Sequence, residues 1–558
     1  MRLVRVTVPA VALAALLGAV PIEAAEAPRP NIVLVLADDM GYSDVGWYGS
    51  EIRTPSIDGL AGGGLSFSRF YNTARCCPTR ASLMTGLYPH QAGIGHMMDE
   101  TGLDGYSGDL NDRCVTIAEV LRSAGYGTYL SGKWHVTRHK NPDSSRHNWP
   151  RQRGFDRSYG MLTGAGSFYD PPTLTLDNRP LPSPEGDYYF TDAVTDHAVE
   201  FVQEHRRARP DDPFFLYLAY TAPHWPLHAL AEDVARYRGR YDQGWDSVRE
   251  ERYRRMIEKG LVRPEWRLTG RDDGVASWDT VGHKEWQARR MEVYAAQIDR
   301  MDQGIGRLVQ MLENGGLLDH TLILFLADNG ACAEELTADA EWVRNITPER
   351  TRAGQPVHPG NDPAVMPGPE WTYQSYGLPW ANVSNAPFRE YKHWVHEGGI
   401  ATPLIAHWPR GIPSRGEWTS QVGHLVDIMA TCVDVAGARY PRAFRGNRIT
   451  PMEGTSLAPV LAGQSPASRA VYFEHEGNRA VRLGRWKLVS RADDDPFAWW
   501  QRDDPGPGNW ELFDLEADRT ETNDLASTRP DLVRSLAELW HQWALRTNVL
   551  PYPEKTWP

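Results

Sequence analysis

Three groups of residues in this chain combine types and spacings that chemistry requires. Two pairs of hard oxygen donors, Asp38-Asp39 and Asp328-Asn329, each follow directly on an apolar run. Carboxylates and a side-chain amide suit Ca²⁺ or Mg²⁺, whereas zinc would call for His or Cys. The second group is the segment Arg75-Cys76-Cys77-Pro78-Thr79-Arg80. Pro78 suits a first helical turn, so the pattern predicts Cys76 just ahead of a helix N-terminus. Free backbone N–H groups and the positive end of the helix dipole there favour an anion. Arg80 adds a planar fork for a tetrahedral oxyanion. A buried cysteine pair opening an ordinary helix fits the same residues. The third group is cationic: Lys133, His135, His224 and Lys392. Lys133 and His135 stand two apart at a strand exit, which projects them to the same side. His90, His96, His228, His396, His407 and His424 lack such a setting and read as packing or surface residues.

The elements that must position these groups are apolar strands. Residues 31–37 run into Asp38-Asp39, and residues 127–132 into Lys133-Trp134-His135. Residues 213–220 lead to Pro223-His224, and residues 321–327 end in Asp328-Asn329-Gly330. Continuous rather than alternating apolar runs indicate strands buried on both faces, as in a parallel sheet. Amphipathic helical stretches such as 116–124 and 291–312 separate them. Open α/β sheets bind ligands just beyond the carboxyl ends of their strands. Four strands here deliver a carboxylate, Lys or His to that edge, which together describe an active site. Residues 228–290 break the rhythm and are expected to form an insertion near the site mouth. Residues 341–385, rich in Pro, Gly, Asn and Trp, form a second long loop region, and loops of that length are commonly functional. After about residue 445 short strands follow at 470–474, 479–491 and 510–515, then an amphipathic helix at 531–547. The expected architecture is therefore α/β: a large, mainly parallel sheet sandwiched by helices over 28–445. A smaller C-terminal α+β domain with an antiparallel sheet follows over 446–558.

Composition narrows the partners. A net charge of −13 argues against nucleic acid, and an anionic substrate must be drawn by a local basic cluster. The chain holds 21 Trp and 23 Tyr, which suit either an aromatic cleft for a ring-shaped ligand or plain packing. Residues 1–27 read as an export signal: Arg2 and Arg5, an uncharged apolar stretch, then Ala24, Ala25 and Ala27. The stretch is short for a membrane span, so cleavage and a periplasmic or secreted location are expected, without stable membrane insertion. The 5 cysteines, Cys76, Cys77, Cys114, Cys332 and Cys432, are an odd number for an exported chain, so at least one is unpaired, altered or shared between molecules.

The segment Cys76-Cys77-Pro78-Thr79-Arg80 through Thr85-Gly86 resembles the C-x-P-x-R…T-G signature of type I sulfatases in the alkaline phosphatase superfamily. Gly132-Lys133-Trp134-His135 is similar to the family's G-K-W-H element, and Ala327-Asp328-Asn329-Gly330 to its second metal motif. Asn385 through Lys392, with Glu397-Gly398-Gly399, resembles its later lysine motif; the nearest likeness is to bacterial arylsulfatases. The resemblance implies an alkaline phosphatase-like fold and conversion of Cys76 to formylglycine by a formylglycine-generating or anaerobic sulfatase-maturating enzyme. It implies a metal ion, Ca²⁺ or Mg²⁺, held by Asp38, Asp39, Asp328, Asn329 and residue 76. It further implies a gem-diol nucleophile and a sulfo-enzyme intermediate, with Arg80 and Lys133 polarising the hydrate. Lys392 and His224 would face the sulfate and leaving group, and His135 would act as base. The expected substrates are aryl sulfates or sulfated carbohydrates, including polysaccharide fragments. The alternatives are a phosphonate monoester or phosphodiester hydrolase of the same superfamily, and a noncatalytic binder of sulfated glycans.

Overall fold

The apolar run Asn31–Ala37 forms strand β1, and every residue of it is buried. Its side chains feed two cores in alternation. Val33, Val35 and Ala37 join one, and Ile32, Leu34 and Leu36 the other. Both faces of the strand are covered, which is why its sequence is continuously apolar. This computed structural model describes residues 29–492 and 510–553, so the expected export signal lies outside the described residues.

β1 lies inside an 11-stranded sheet. The others are β2 (Leu65–Tyr71), β3 (Gly127–Gly132), β4 (Arg157–Met161), β5 (Leu174–Leu176), β6 (Arg179–Pro180), β7 (Phe214–Ala219), β8 (Thr321–Ala327), β9 (Ala401–His407), β10 (Glu417–Thr419) and β11 (Gly423–His424). The spatial order is β10-β2-β9-β8-β1-β7-β3-β4-β5-β6, with β11 also paired to β2. β8, β1, β7 and β3 are consecutive, mutually parallel neighbours. These are the four strands that the sequence equips with chemistry, so their carboxyl ends lie side by side. β9 runs antiparallel to both β8 and β2, and β5 antiparallel to β4.

Helices cover both faces. α1 (Pro55–Gly62), α4 (Phe190–Ala208) and α6 (Lys284–Asn314) pack into the first core. α2 (Cys76–Thr85), α3 (Ile117–Ser123) and α8 (Val426–Val435) pack into the second. Two further helices, α5 (Gly244–Glu258) and α7 (Gly377–Ser384), belong to the two excursions. α6 begins well before residue 291 because Trp286, Ala288 and Arg290 are already buried. The excursion at 228–290 is helical and braces the loop after β1. Arg252 on α5 pairs with Asp44 at 2.6 Å and Glu51 at 2.7 Å, with all three side chains buried.

The C-terminal sheet is antiparallel: β12 (Val471–His475), β13 (Asn478–Leu483), β14 (Trp486–Ser490) and β15 (Trp510–Asp514). The run 479–491, expected as one strand, is a hairpin that turns at Gly484-Arg485. Helix α9 (Pro530–Arg546) packs its Leu536, Trp540 and Trp543 on this sheet. A buried ionic knot joins sheet to body. Glu397 accepts from Lys487 Nζ at 3.1 Å, Tyr71 Oη at 3.0 Å and Arg519 Nε at 3.3 Å.

Candidate active site

Each strand end contributes by a distinct local device. Asp38 and Asp39 leave β1, and Asp39 adopts a left-handed φ of 62°, rare for a residue with a Cβ. Its N–H donates to Asp328 Oδ1 at 3.1 Å, which stitches the ends of β1 and β8 together. β3 ends on Gly132 at φ 123°, where a Cβ would lie 1.8 Å from the Ala219 carbonyl oxygen, so only glycine fits. That approach lets Lys133 N–H donate to the same oxygen at 2.8 Å and sends Nζ to Asp38 Oδ2 at 2.6 Å. The chain then turns through His135, also left-handed at φ 52°. Such strain is held by surrounding packing and concentrates at functional sites.

Cys76 is the first residue of α2, with Arg75 as the N-cap and Pro78 inside the first turn. This places Cys76 one step further into the helix than its spacing suggested, with the N-terminal N–H groups still at hand. Ligand atoms of Cys76, Cys77 and His135 lie within 4.8 Å of one another. Four positions after Cys76, Arg80 is wholly buried. It donates to the Lys133 carbonyl at 3.0 Å and Asp328 Oδ2 at 2.9 Å, with Asp38 Oδ2 at 3.6 Å. On the opposite wall Lys392 Nζ donates to Asp39 Oδ2 at 3.0 Å and lies 3.5 Å from His224 Nε2. His224 Nδ1 faces the Trp225 carbonyl at 2.7 Å, and Asn329 Nδ2 donates to Asp39 Oδ1 at 2.7 Å. The structure thus brings Asp38, Asp39, Cys76, Arg80, Lys133, His135, His224, Asp328, Asn329 and Lys392 into one buried cluster.

Burial and neighbouring charge set the protonation states. Burial, then Asp328, push Asp38 well above the usual carboxylate range. For Asp39, burial is outweighed by His224 and Lys392, which hold it well below that range. Burial lowers both His135 and His224 to about 4, so both imidazoles are neutral at pH 7. Lys392 resists the downward pull of its burial because Asp39, Cys332 and Glu334 raise it. A hydrogen bond from Cys77 and the nearby Lys133 pull Cys76 far below an ordinary thiol, against the effect of burial. Burial raises Cys77 in the opposite direction.

The oxygen donors fit a hard cation. Asp38 Oδ1 and Asn329 Oδ1 are buried without a hydrogen-bond partner among the described residues. Orphaned buried oxygens are costly unless something unseen satisfies them, and these two sit in a set dominated by hard oxygen donors, with His224 the nitrogen within 4.8 Å of Asp38 and Asp39. Asp38, Asp39 and Asp328 balance Arg80, Lys133 and Lys392 in formal charge. A divalent ion would leave the cluster positive, as an anionic substrate requires.

Sequence reasoning gave no site role to Arg75, Trp225, Cys332 or Glu334. Glu334 pairs with Arg75 at 3.2 Å, accepts from Trp225 Nε1 at 2.8 Å and lies 3.9 Å from Lys392 Nζ. No strand or helix presents Glu334, so nothing local distinguished it. Trp225 lies 6.3 Å from Trp342 and 6.1 Å from Tyr373, ring to ring, so the 341–385 excursion flanks this wall. The 5 cysteines are all free and buried.

The chain is similar to known proteins over most of its length. A family model described as sulfatase matches residues 30–438, and one for the C-terminal part of N-sulphoglucosamine sulphohydrolase matches residues 390–543. An uncharacterized sulfatase of Schizosaccharomyces pombe is 32% identical, over 95% of this chain and 96% of its own. An arylsulfatase of Klebsiella aerogenes is also 32% identical, over 80% of this chain and 95% of its own. Among solved structures, i-CgsB in complex with k-i-k-neocarrahexaose superposes with a TM-score of 0.64 at 24% identity, covering 95% of each chain. BT4656 in complex with its substrate D-glucosamine-2-N,6-O-disulfate gives 0.62 at 20% identity, covering 95% of this chain and 100% of its own. At those identities the superpositions show the fold, an α/β body with a small antiparallel sheet.

Proposed function

Because the chain belongs to the sulfatase family and is a sulfuric ester hydrolase, we propose that it frees inorganic sulfate from aryl sulfates or sulfated carbohydrate fragments at the cluster around Cys76. The observation that carries this reading is the buried cage of three carboxylates and three cations, with its orphaned oxygens, at the head of α2. The sulfated sugar bound by BT4656 supports the carbohydrate class, and the arylsulfatase relative supports the aryl class.

In this reading Asp38, Asp39, Asp328 and Asn329, with residue 76, would hold Ca²⁺ or Mg²⁺, which would supply Lewis-acid stabilisation of the sulfate's charge. A maturase oxidises Cys76 to formylglycine, whose hydrated aldehyde supplies one hydroxyl to attack sulfur and a second that allows sulfate to leave. Arg80 and Lys133 orient that side chain, each fixed by a buried carboxylate. His135, neutral through burial, takes the proton of the second hydroxyl. His224 Nδ1 is committed to the Trp225 carbonyl, which leaves Nε2, 3.2 Å from Asp39 Oδ2 and 3.5 Å from Lys392 Nζ, as its working nitrogen. Lys392 holds the proton that the departing oxygen takes, passed along its contact with that nitrogen. Export to the periplasm or medium completes the proposal, with a mature N-terminus between about residues 25 and 29.

The test is the mass of the peptide containing residue 76, from protein made with its maturase, beside turnover of an aryl sulfate. The peptide should have lost its sulfur and gained an aldehyde. Cys76→Ala and Cys76→Ser should lose turnover by several orders of magnitude, while Cys77→Ser keeps most of it. Wild-type turnover in Cys76→Ala would overturn the assignment of the nucleophile.

A further inference from the structure

Beside the catalytic cluster, at the seam between body and C-terminal sheet, three histidines converge on one carboxylate. Glu476 sits in the β12–β13 turn at φ 50°, and His475 precedes it. His393 follows Lys392 in the chain at φ 97°, also left-handed. Its Nδ1 contacts Glu476 Oε2, His475 Nε2 lies 3.4 Å from Glu476 Oε1, and His96 Nε2 lies 2.7 Å from the same oxygen. His96, His393 and the adjacent pair His475-Glu476 come from three segments far apart in the chain, and the tertiary structure brings them together.

We propose that His393, His475 and Glu476 form a second metal site, for a first-row divalent ion of the zinc class, with His96 orienting the Glu476 carboxylate. Ligand atoms of the three residues lie within 4.8 Å of one another. The 3.4 Å between His475 and Glu476 is close to the edge of a tetrahedron with bonds of about 2.0–2.1 Å. His475 is wholly buried, and neither ring nitrogen meets a partner in hydrogen-bonding geometry among the described residues. A bland imidazole packed in a core would normally satisfy at least one. The cage is fixed from behind, since Asn478 Nδ2 donates to the His475 carbonyl at 3.0 Å and the His393 carbonyl at 3.5 Å. His393 N–H donates to the Ala74 carbonyl at 2.8 Å, which ties the cage to the loop before Cys76. Two imidazoles and one carboxylate suit zinc over Ca²⁺ or Mg²⁺, which prefer all-oxygen sets. Three protein ligands leave one position open, as in catalytic rather than purely structural zinc sites. The carboxylate held by His96 is the outer-shell arrangement that tunes such ligands.

Zinc chloride alone is the probe, and this proposal does not depend on the sulfatase chemistry. The full-length chain, stripped by chelation, is held in excess Ca²⁺ and carries Cys76→Ala and Cys77→Ala. Those changes remove the soft trio of Cys76, Cys77 and His135 as a rival site. Metal analysis after desalting should find one zinc per chain, and Co²⁺ in its place should give the visible absorption of a low-coordinate site. Adding Glu476→Gln, close to isosteric, should weaken zinc binding at least 100-fold with a cooperative melt retained, and His96→Ala should weaken it about 10-fold. His475→Ala should match Glu476→Gln. Absence of retained zinc in the starting protein, or equal retention in the Glu476→Gln protein, would overturn the site.

Discussion

Replacing Arg80 with Lys tests the cage most sharply, because the substitution keeps the charge and removes only geometry. The guanidinium spans two partners, the Lys133 carbonyl at 3.0 Å and Asp328 Oδ2 at 2.9 Å, from a fully buried position. A lysine ammonium is a point charge on a flexible stem and cannot hold both in that fork. If it keeps Asp328, the Lys133 carbonyl loses a donor, which costs about 1 kcal/mol of stability. Its Lys133 side chain and residue 76 then lose the fixed support that sets their distance. Misplaced electrostatic support at a reacting centre typically lowers rates by about 100- to 1,000-fold, or roughly 3–4 kcal/mol. The assay is initial-rate hydrolysis of an aryl sulfate in metal-replete buffer, with the residue-76 peptide weighed in parallel to confirm equal maturation. Expected is a fall of kcat/KM by about 100-fold or more with only a modest drop in melting temperature. A kcat/KM within about threefold of wild type would show that charge alone matters, and the argument from the fork would be wrong.

Other outcomes follow from the same physics. Chelation should abolish activity and Ca²⁺ or Mg²⁺ restore it; full turnover in a sample shown by analysis to be metal-free would remove the oxygen set from the mechanism. Glu397→Gln breaks a buried charge knot shared by Lys487, Arg519 and Tyr71, so it should destabilise the fold by about 3–5 kcal/mol, and urea melts differing by under 1 kcal/mol would refute that. His228 is buried away from the cluster, with Nε2 facing the Thr372 carbonyl, and burial lowers it to about 4 from the ordinary imidazole value of 6.5. The unfolded chain therefore binds more protons between those values, and stability is lost as pH falls from about 6.5 towards 4. Wild type should lose about 2 kcal/mol more than His228→Gln between pH 7 and pH 5. Parallel pH dependence of the two proteins would contradict the shift.

The sequence by itself determined which strands carry the chemistry, because parallel strands buried on both faces must be continuously apolar and must expose polar residues at their ends. Residues 31–37, 127–132, 213–220 and 321–327 announced this, and they occupy four adjacent places in the sheet. Cys76 and Arg80 stood out at a helix start and Lys133 with His135 at a strand exit, but their roles came from the resemblance to sulfatases, since a buried cysteine pair opening a helix fits the local pattern equally well. Strand order was not legible, since apolar runs carry no label for their neighbours, and nothing in the buried run of β9 marks it as reversed. The hairpin inside 479–491 was hidden because Gly484-Arg485 interrupts the apolar pattern only briefly. Glu334, Arg75 and Trp225 joined the site wall, and His96, His393, His475 and Glu476 met, through contacts between segments far apart in the chain. A local pattern reports the burial of its own residues. Which distant polar groups then face each other depends on loop paths, and only the tertiary structure decided those.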